Sequence, residues 1–273
     1  MRLQYILTLS MEGKSSSGDT ITFLGTAGAR VMVTKQLLAS GGLWLNLGGT
    51  EILLDPGPGC IVQSTKRKLN ADKLSAIILS HRHLDHSADA NIMVEAMTQG
   101  GLKRHGWLFA PADCLETEPV IFSYLKGYLE GIEVLQEGKS YSVGSVSFST
   151  PIRHIHGVET YGMVFTTAEH TLSYITDSRY FDGLCRSYRG ELLVINVVRL
   201  EADHPFDHLS LPDAKRIITE LNPKVAILTH FGMTMWRAKP WELAQRLSEE
   251  TGVRVLAARD GMRFDLAQLG VLD

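Results

Sequence analysis

The sequence is poor in cysteine, contains no long apolar run and has no large excess of charge of either sign. Its three cysteines, Cys60, Cys114 and Cys185, lie far apart and form neither a CxxC pair nor an even set, which predicts free thiols in a reducing compartment. No apolar stretch approaches the roughly 18 residues that a membrane helix needs, so we expect a cytoplasmic protein with no membrane partner. The net charge of −3, without a basic block, argues against a surface that binds long nucleic acids.

The first 18 residues are predicted to form a leader outside the folded domain. Their apolar stretch, residues 3–9, is too short for a signal peptide and lacks a small-residue cleavage site. The leader ends in a Ser-Ser-Ser-Gly run. Residues 19–273 have the length of one large domain, and the chain's 44% apolar and 21% charged residues are typical of a globular protein.

Four side chains of the kinds that bind metal ions lie within six residues: His81, His83, Asp85 and His86. An apolar run just before them predicts a buried strand, and a helical pattern follows them. They therefore lie at the carboxyl end of a strand, where open α/β sheets usually carry their chemistry. Imidazoles and a carboxylate suit zinc, manganese or iron, and one tight turn cannot direct all four to one ion, so two adjacent ions are predicted. A solvated histidine-rich loop is the alternative.

The HRHLDH run at residues 81–86 matches the HxHxDH motif of the metallo-β-lactamase superfamily. The chain therefore resembles a metal-dependent hydrolase of that fold, and further motifs resemble the branch that contains ribonuclease Z and phosphodiesterases. The resemblance covers residues 21–264. It implies an α/β fold, namely an αββα sandwich in which two β-sheets are flanked by helices.

Three further positions complete the ligand set that the resemblance implies: His156, Asp177 and His230. Apolar runs at residues 172–176 and 224–228 predict buried strands that end just before Asp177 and His230. A carboxylate at the end of a buried strand is costly unless it is paired or binds a metal. The family places its bridging aspartate at this position.

Two histidines, His154 and His156, compete for one ligand position. On an extended segment both would point to the same face, so their spacing does not choose between them. The resemblance to ribonuclease Z favours His156, which stands a few residues before Gly162, as the ligand. It makes His154 a neighbour or a substrate contact.

Carried over from the family, the ligands divide into two sets. One ion would be bound by His81, His83 and His156, the other by Asp85, His86 and His230, with Asp177 as a bridge. Two such ions hold a shared water and lower its pKa toward about 7, for in-line attack on the substrate. Zinc is the first expectation, and manganese and iron also tolerate these ligands. Asp85 is predicted to take part in catalysis as well as in metal binding.

His208 lies just before a helix whose start is predicted by the capping box of Ser210 and Asp213. Relatives such as ribonuclease Z have an additional, non-ligand histidine near this position. The resemblance therefore makes His208 the candidate proton donor to the leaving oxygen, with His204 as the second candidate. A purely structural histidine is the alternative.

Several residues near these motifs have two interpretations each. Asp55 either accepts local N–H bonds in a turn or, as the family pattern LLDPGPG implies, holds ligand histidines in one tautomer. Arg179 either faces an anionic substrate or forms a surface ion pair. The small residues at positions 25–29 either bring the backbone close to the metal site or form a plain turn.

Local patterns predict three further elements. Gly48 and Gly49 indicate the turn of a β-hairpin. Residues 140–149 alternate between polar and apolar side chains and predict one half-buried strand. Residues 120–129 predict a helix with an apolar stripe that faces the core, with a homodimer contact or a lid over the site as alternatives.

The predicted substrate is a small phosphodiester, of the cyclic or short nucleotide type. The His208 element, the spacing from His156 to Gly162 and nearby arginines such as Arg179 favour this chemistry. The chain lacks a long arm rich in Gly, Pro and Lys with which ribonuclease Z grips transfer RNA, so a ribonuclease Z-type nuclease is a weaker expectation. A thioester or lactone hydrolase with the same ions is the main alternative. The complete ligand set argues against a non-catalytic metal-binding protein.

Overall fold

The computed structural model describes residues 18–116 and 119–270. Apart from Gly18, the predicted leader lies outside the described residues. Within the described ranges the chain forms two seven-stranded β-sheets that pack face to face, with helices on both outer surfaces. The predicted αββα sandwich is confirmed.

The first sheet combines antiparallel and parallel strands. Its strands are β1 (Thr20–Phe23), β2 (Leu43–Leu47), β3 (Thr50–Leu54), β4 (Leu74–Ile78), β5 (Trp107–Ala110), β6 (Gly131–Val134) and β14 (Arg263–Asp265). Their order is β14-β1-β2-β3-β4-β5-β6. The pairs from β14 to β3 are antiparallel, and those from β3 to β6 are parallel.

The second sheet has the same mixed character. Its strands are β7 (Lys139–Val143), β8 (Val146–Thr150), β9 (Met163–Thr166), β10 (Thr171–Ile175), β11 (Leu192–Asn196), β12 (Val225–Thr229) and β13 (Arg254–Ala257). Their order is β13-β12-β11-β10-β9-β8-β7. Strands β10 to β13 are parallel, so their carboxyl ends meet at one edge of the sheet.

The helices connect the strands and cover the sheets. They are α1 (Ala29–Thr34), α2 (Cys60–Lys66), α3 (Leu84–Ser87), α4 (Ala90–Met97), α5 (Ser123–Lys126), α6 (Gly183–Ser187), α7 (Leu211–Leu221), α8 (Met233–Arg237) and α9 (Pro240–Thr251). Short 3₁₀ helices lie at Ala71–Lys73, Ala112–Cys114 and Leu266–Gly270. Over the described ranges, none of the helices has the length and apolar character required to cross a lipid bilayer.

Three apolar clusters hold these layers together. The first lies between the sheets and includes the buried rings of Phe23, Phe109, Phe148 and Phe165. The second packs α7 and α9 against the second sheet, and the third packs α4 and α5 against the first sheet. Burial of apolar surface in these clusters fixes the strand ends, and with them the loops that carry the site.

The alternating segment at residues 140–149 is predicted to be one strand, and this prediction is wrong. The segment contains the two strands β7 and β8 of a hairpin. Gly144, with a φ of 55°, and Ser145 form the two-residue turn. The apolar period shifts by one residue at this Gly-Ser pair, which is a recognised hairpin signal. By contrast, the hairpin predicted around Gly48 and Gly49 is confirmed as β2 and β3.

The helix predicted over residues 120–129 is limited to α5. The side chain of Asn91 binds both the carbonyl oxygen of Val120 and the backbone N–H of Phe122, which holds this part of the chain outside the helix. The predicted apolar stripe nevertheless faces the core, since Ile121 and Leu125 are buried in the third cluster.

Candidate metal centre

The predicted ligands lie in four loops at one end of the sandwich. The HRHLDH loop, with α3, follows β4 of the first sheet, and His156 lies between β8 and β9 of the second. Asp177 follows β10, and His230 follows β12. The structure brings all seven predicted ligands together from both sheets.

The ligand atoms form three overlapping groups, each with all atoms within 4.8 Å of one another. The groups are His81 with His83 and His156, His81 with His86 and Asp177, and Asp85 with His86 and His230. The first and third are the two predicted ligand sets, and the second connects them. The two oxygens of Asp177 lie 3.5 Å from His86 Nε2 and 3.4 Å from His230 Nδ1.

Hydrogen bonds behind the ligands orient three of the imidazoles. His86 Nδ1 donates to Asp55 Oδ2 over 2.9 Å, and His156 Nδ1 donates to the carbonyl oxygen of Asp207 over 2.8 Å. His81 Nδ1 lies 3.0 Å from Ser80 Oγ, whose own proton goes to Asp55. When these rings are neutral, each of the bonds places the proton on Nδ1 and leaves a lone pair on Nε2, directed to the centre of the cluster.

Several buried nitrogen atoms of the cluster have no hydrogen-bond partner among the residues that the structure describes. They are His81 Nε2, His86 Nε2 and both ring nitrogens of His230. Buried polar atoms are nearly always paired, so a group of unpaired ring nitrogens at one point indicates that a further partner binds there. Borderline divalent cations bind this combination of imidazole and carboxylate, and the residues present therefore fit metal ions.

Charge at the centre also favours cations. Burial lowers the pKa of His81 well below its usual value, and repulsion by His86 adds to this. Burial alone would raise the pKa of Asp85, but attraction by His86 and by the nearby His230 lowers it. Burial likewise opposes the charge on His86, yet the carboxylates of Asp55 and Asp85 raise its pKa well above the usual value. The carboxylates thus attract a positive charge that either a proton or a metal ion supplies.

Asp55 contacts residues far away in the chain rather than the N–H groups of a local turn. Its carboxylate accepts the backbone N–H of Ser80 over 2.6 Å and the hydroxyl of Tyr174 over 3.1 Å, besides the bond from His86. Its φ of 55° lies in the left-handed region, which residues other than glycine adopt uncommonly. The arrangement corresponds to the second interpretation of Asp55, in which it orients a ligand histidine.

Two further residues behind the ligands, Asn196 and Tyr174, were not predicted. Asn196 Nδ2 donates to Asp177 Oδ1 over 2.9 Å, and Tyr174 connects Asp55 with Asn196. Both residues lie within buried strands, where a polar side chain has no local sequence signal that separates a role at the site from simple burial. Their contacts become visible only when β10 and β11 are paired.

His154 does not share a face with His156, contrary to the prediction. It is buried, its Nδ1 donates to the carbonyl oxygen of Asp177 over 3.1 Å, and its Nε2 accepts from Tyr188 over 2.7 Å. Burial lowers its pKa to about 4, which agrees with the neutral ring that these two bonds require. The chain bends between β8 and β9 instead of staying extended, and this separates the two rings.

His208 lies beside the ligand cluster. Its Nδ1 is 3.5 Å from Asp177 Oδ2, and its ring centroid is 5.2 Å from that of His156. Burial lowers its pKa to about 4, in spite of the attraction by Asp177. His208 is therefore a neutral ring with one N–H at neutral pH, and a nearby phosphate anion would raise its pKa.

His204, the second candidate for proton donor, and Arg179, the candidate for substrate contact, lie near His208. The ring of His204 packs beside Phe206, and its Nδ1 accepts the backbone N–H of that residue over 3.3 Å. Arg179 forms an ion pair with Asp207, with 2.7 Å between Nη2 and Oδ1, so the surface ion-pair interpretation of Arg179 describes the structure. The carbonyl oxygen of the same Asp207 orients His156.

The small residues after β1 approach the site closely. An added Cβ at Gly28 would overlap the backbone oxygen and Nδ1 of His230, so only glycine fits this position. This backbone therefore lies against His230, one of the predicted ligands. Hydrogen bonds between Thr26, Gly28 and Phe231 hold the two segments together around His230, whose own φ is 60°.

The αββα sandwich and its His/Asp centre define a class of metal-dependent hydrolases. Residues 50–231 match the model of the family described as Beta-lactamase superfamily domain, and the chain belongs to this family.

Relatives span most of the chain. It is 31% identical to the uncharacterized protein MJ1374 of Methanocaldococcus jannaschii over 257 residues, which cover 90% of this chain and 94% of that protein. The probable metallo-hydrolase YhfI of Bacillus subtilis is 28% identical over 197 residues, 70% of this chain and 80% of that one. The crystal structure of YhfI superposes with a TM-score of 0.76 over 90% of this chain and 99% of that chain, at 24% identity.

Two further similarities concern phosphate chemistry. A ribonuclease Z of Kineococcus radiotolerans is 31% identical over 121 residues, 43% of this chain and 38% of that protein. The crystal structure of a diphosphatase from the PhnP family superposes with a TM-score of 0.65 at 22% identity, over 90% of this chain and 96% of that chain. The second similarity shows the shared fold.

Proposed function

We propose that the protein is a metal-dependent phosphodiesterase that hydrolyses a small phosphodiester of the cyclic or short nucleotide type. The observation that carries the proposal is the overlap of the three ligand groups, which share His81 and His86 and are connected by Asp177. Overlapping groups support two neighbouring ions, and two-metal centres suit in-line displacement at phosphorus.

The seven ligands would hold the ions in the two sets expected from the sequence, with Asp177 between them. We propose zinc, with manganese or iron as compatible ions, because five imidazoles and two carboxylates face the centre. When bound, such ions supply a water-derived nucleophile at neutral pH and positive charge that offsets the charge of the phosphate.

His208 is the proposed proton donor to the departing oxygen. Its Nδ1 lies 3.5 Å from Asp177 Oδ2, so the ring is at the edge of the ligand cluster. A phosphodiester anion beside the ring would raise its pKa and favour the protonated form that transfers a proton. General acid catalysis of this kind typically contributes about 10²–10⁴ to the rate.

Two comparisons support phosphodiester chemistry over a thioester or lactone hydrolase. A relative is named ribonuclease Z, and a structure of the same fold is a diphosphatase. A substrate as large as transfer RNA is disfavoured by the net charge of −3, since each phosphate contact requires a cation.

The direct test is a panel assay on purified protein of defined metal content. The substrates are bis(p-nitrophenyl) phosphate, an acyl thioester and a lactone. We expect turnover of the phosphodiester, which chelation abolishes and added metal restores. Turnover of only the thioester or the lactone would overturn the proposal.

The role of His208 is tested with the variant His208→Ala. We expect kcat to fall by about 10²–10⁴ for a phosphodiester with an alkyl leaving group. The fall should be smaller for a p-nitrophenyl ester, because nitrophenolate departs without a proton. Bound metal, measured by elemental analysis, should not change. His170→Ala, which removes a histidine paired with Glu191 at the surface, is the control. A loss of metal in His208→Ala would show that this residue is a ligand or a structural support instead.

A further inference from the structure

A cavity of about 340 Å³ lies next to the ligand cluster, and His208 belongs to its wall. Tyr180, His204 and Phe206 also line the cavity. Its size is at the low end of the range for pockets that bind small molecules, about 300–1,000 Å³. His208, the proposed proton donor, borders both the ligand cluster and the cavity. A group that leaves the phosphate on the His208 side would therefore lie in this cavity.

Phe206 presents a fixed aromatic surface in this cavity. Its N–H donates to His204 Nδ1, and its carbonyl oxygen accepts the backbone N–H of His208 over 2.9 Å. The guanidinium of Arg199 lies 4.1 Å from the centroid of the Phe206 ring, yet Phe206 is 49% exposed. Arg199 lies over the ring, and the ring of His204 is stacked beside it with 6.3 Å between centroids, so a further planar group would stack on the part of Phe206 that is open to solvent.

The charges around the cavity do not favour a second phosphate. Arg179 is paired with Asp207, and the carboxylate of Asp213 is held in the capping box of α7. Arg199 lies against the ring of Phe206. Positive and negative groups are thus balanced, so the phosphate belongs at the ligand cluster and an uncharged planar group belongs in the cavity.

The surroundings of the ligands are also apolar. Leu84, which follows His83, is 74% exposed, and Ile155, which precedes His156, is 45% exposed. Exposed apolar side chains next to a polar centre are typical of binding sites for partly apolar ligands.

We propose that this cavity is the leaving-group subsite and that it binds a nucleoside, whose base stacks on Phe206. This inference rests on the proposed phosphodiesterase function. In the reaction a water oxygen bonds to phosphorus, the bond from phosphorus to the 5′-oxygen of the nucleoside breaks, and that oxygen takes a proton. The products are a phosphate monoester at the ligand cluster and a free nucleoside in the cavity.

A pair of substrates tests the subsite. They are the methyl phosphodiester of adenosine 5′-phosphate and the corresponding diester of ribose 5-phosphate, which have the same leaving oxygen and differ by the base. We expect kcat/KM to be at least about fivefold higher for the adenosine compound, since stacking of one base on an aromatic ring has at least this effect. We expect adenosine and methyl phosphate as products. Equal kcat/KM values, or AMP and methanol as products, would overturn the inference and leave the phosphodiesterase function intact.

Variants of Phe206 identify the stacking surface. Phe206→Ala should reduce the preference for the adenosine compound to nearly one, mainly through KM, and Phe206→Trp should retain the preference. Phe122→Ala, which removes another exposed phenylalanine at the start of α5, is the matched control and should behave like the original protein. An unchanged preference in Phe206→Ala would contradict the proposal.

Binding of adenosine gives a result that does not depend on turnover. Calorimetric titration should detect binding to the metal-loaded protein and to Phe122→Ala, and weaker binding by about tenfold to Phe206→Ala. If neither diester is hydrolysed, the phosphodiesterase proposal fails, whereas adenosine binding that depends on Phe206 still supports a nucleoside site. The absence of adenosine binding overturns the subsite.

Discussion

At the scale of single residues, the hydrogen bonds behind the ligands decide how the site is prepared. Asp55 is the central example, because it contacts the HRHLDH loop at Ser80 and His86 and reaches the second sheet at Tyr174. It keeps a left-handed backbone conformation that costs of the order of 1–3 kcal/mol, so the surrounding contacts must offset this strain.

Replacement of Asp55 by Asn should weaken metal binding by about 10- to 100-fold. Attraction by Asp55 helps to raise the pKa of His86, so this ring carries a proton at neutral pH that an ion must displace. Metal affinity of the original protein should therefore increase with pH up to the raised pKa of His86, and binding should release protons. In Asp55→Asn the pKa of His86 falls and fewer protons are released.

Calorimetric titration of zinc in buffers of different ionisation enthalpy measures both the metal affinity and the number of protons released. Asp182→Asn, which changes an exposed carboxylate paired with Arg216, is the matched control. Equal proton release in the original protein and in Asp55→Asn would disprove the role assigned to Asp55.

The sequence predicted the residues that face the centre better than those behind it. His81 and Asp177 follow apolar strands, and the HRHLDH motif is dense enough to be recognised. Asn196 was missed because it is part of an apolar strand, and its partner Asp177 follows the neighbouring strand β10. Sequence periodicity carries no information about which residues of paired strands meet.

At the scale of elements, the site depends on loops at the strand ends, and the sequence predicted most of these ends. Long apolar runs predicted β4, β11 and β12 well, because a strand that is buried on both faces is apolar at nearly every position. Short elements failed: a two-residue turn divided the alternating segment into β7 and β8, and contacts from Asn91 limited α5. Such contacts come from distant parts of the chain and leave no local pattern.

The loop between β1 and α1 should tolerate no side chain at Gly28. In Gly28→Ala the new methyl group would displace His230, so we expect a loss of about 1–3 kcal/mol in the free energy of unfolding and less bound metal. Urea unfolding and elemental analysis measure the two effects. Gly138→Ala is the control for the substitution itself, since it lies at a turn with open space around it, although its φ of 74° adds some strain. Full metal content in Gly28→Ala would show that His230 has more freedom than its contacts suggest.

At the scale of the whole molecule, the centre joins the two sheets. Every ligand group combines residues that follow β4 of the first sheet with a residue from the second sheet. An ion bound there connects the sheets at one end of the sandwich, in addition to the apolar core between them. The family resemblance predicted this arrangement, and the packing of the two sheets gives the physical reason for it.

Removal of the metal should therefore lower the stability of the whole protein. Free ion at about 100 times its Kd stabilises the folded state by about 2.7 kcal/mol, if the unfolded chain does not bind it. For a chain of this size we expect chelation to lower Tm by roughly 5–10 °C. Calorimetry with and without a chelator measures this shift, and it should disappear in Asp177→Ala. A Tm that does not respond to the chelator would contradict a joint role of the ion in both sheets.

Because the ligands come from distant parts of the chain, the centre is completed late in biosynthesis. At roughly 5–20 residues per second, a ribosome makes His230 on the order of ten seconds after His86. During this time the growing chain offers only incomplete coordination, so an ion captured early is held weakly and can exchange. The choice among competing cellular metals is accordingly made at the end of translation, when the last histidine arrives.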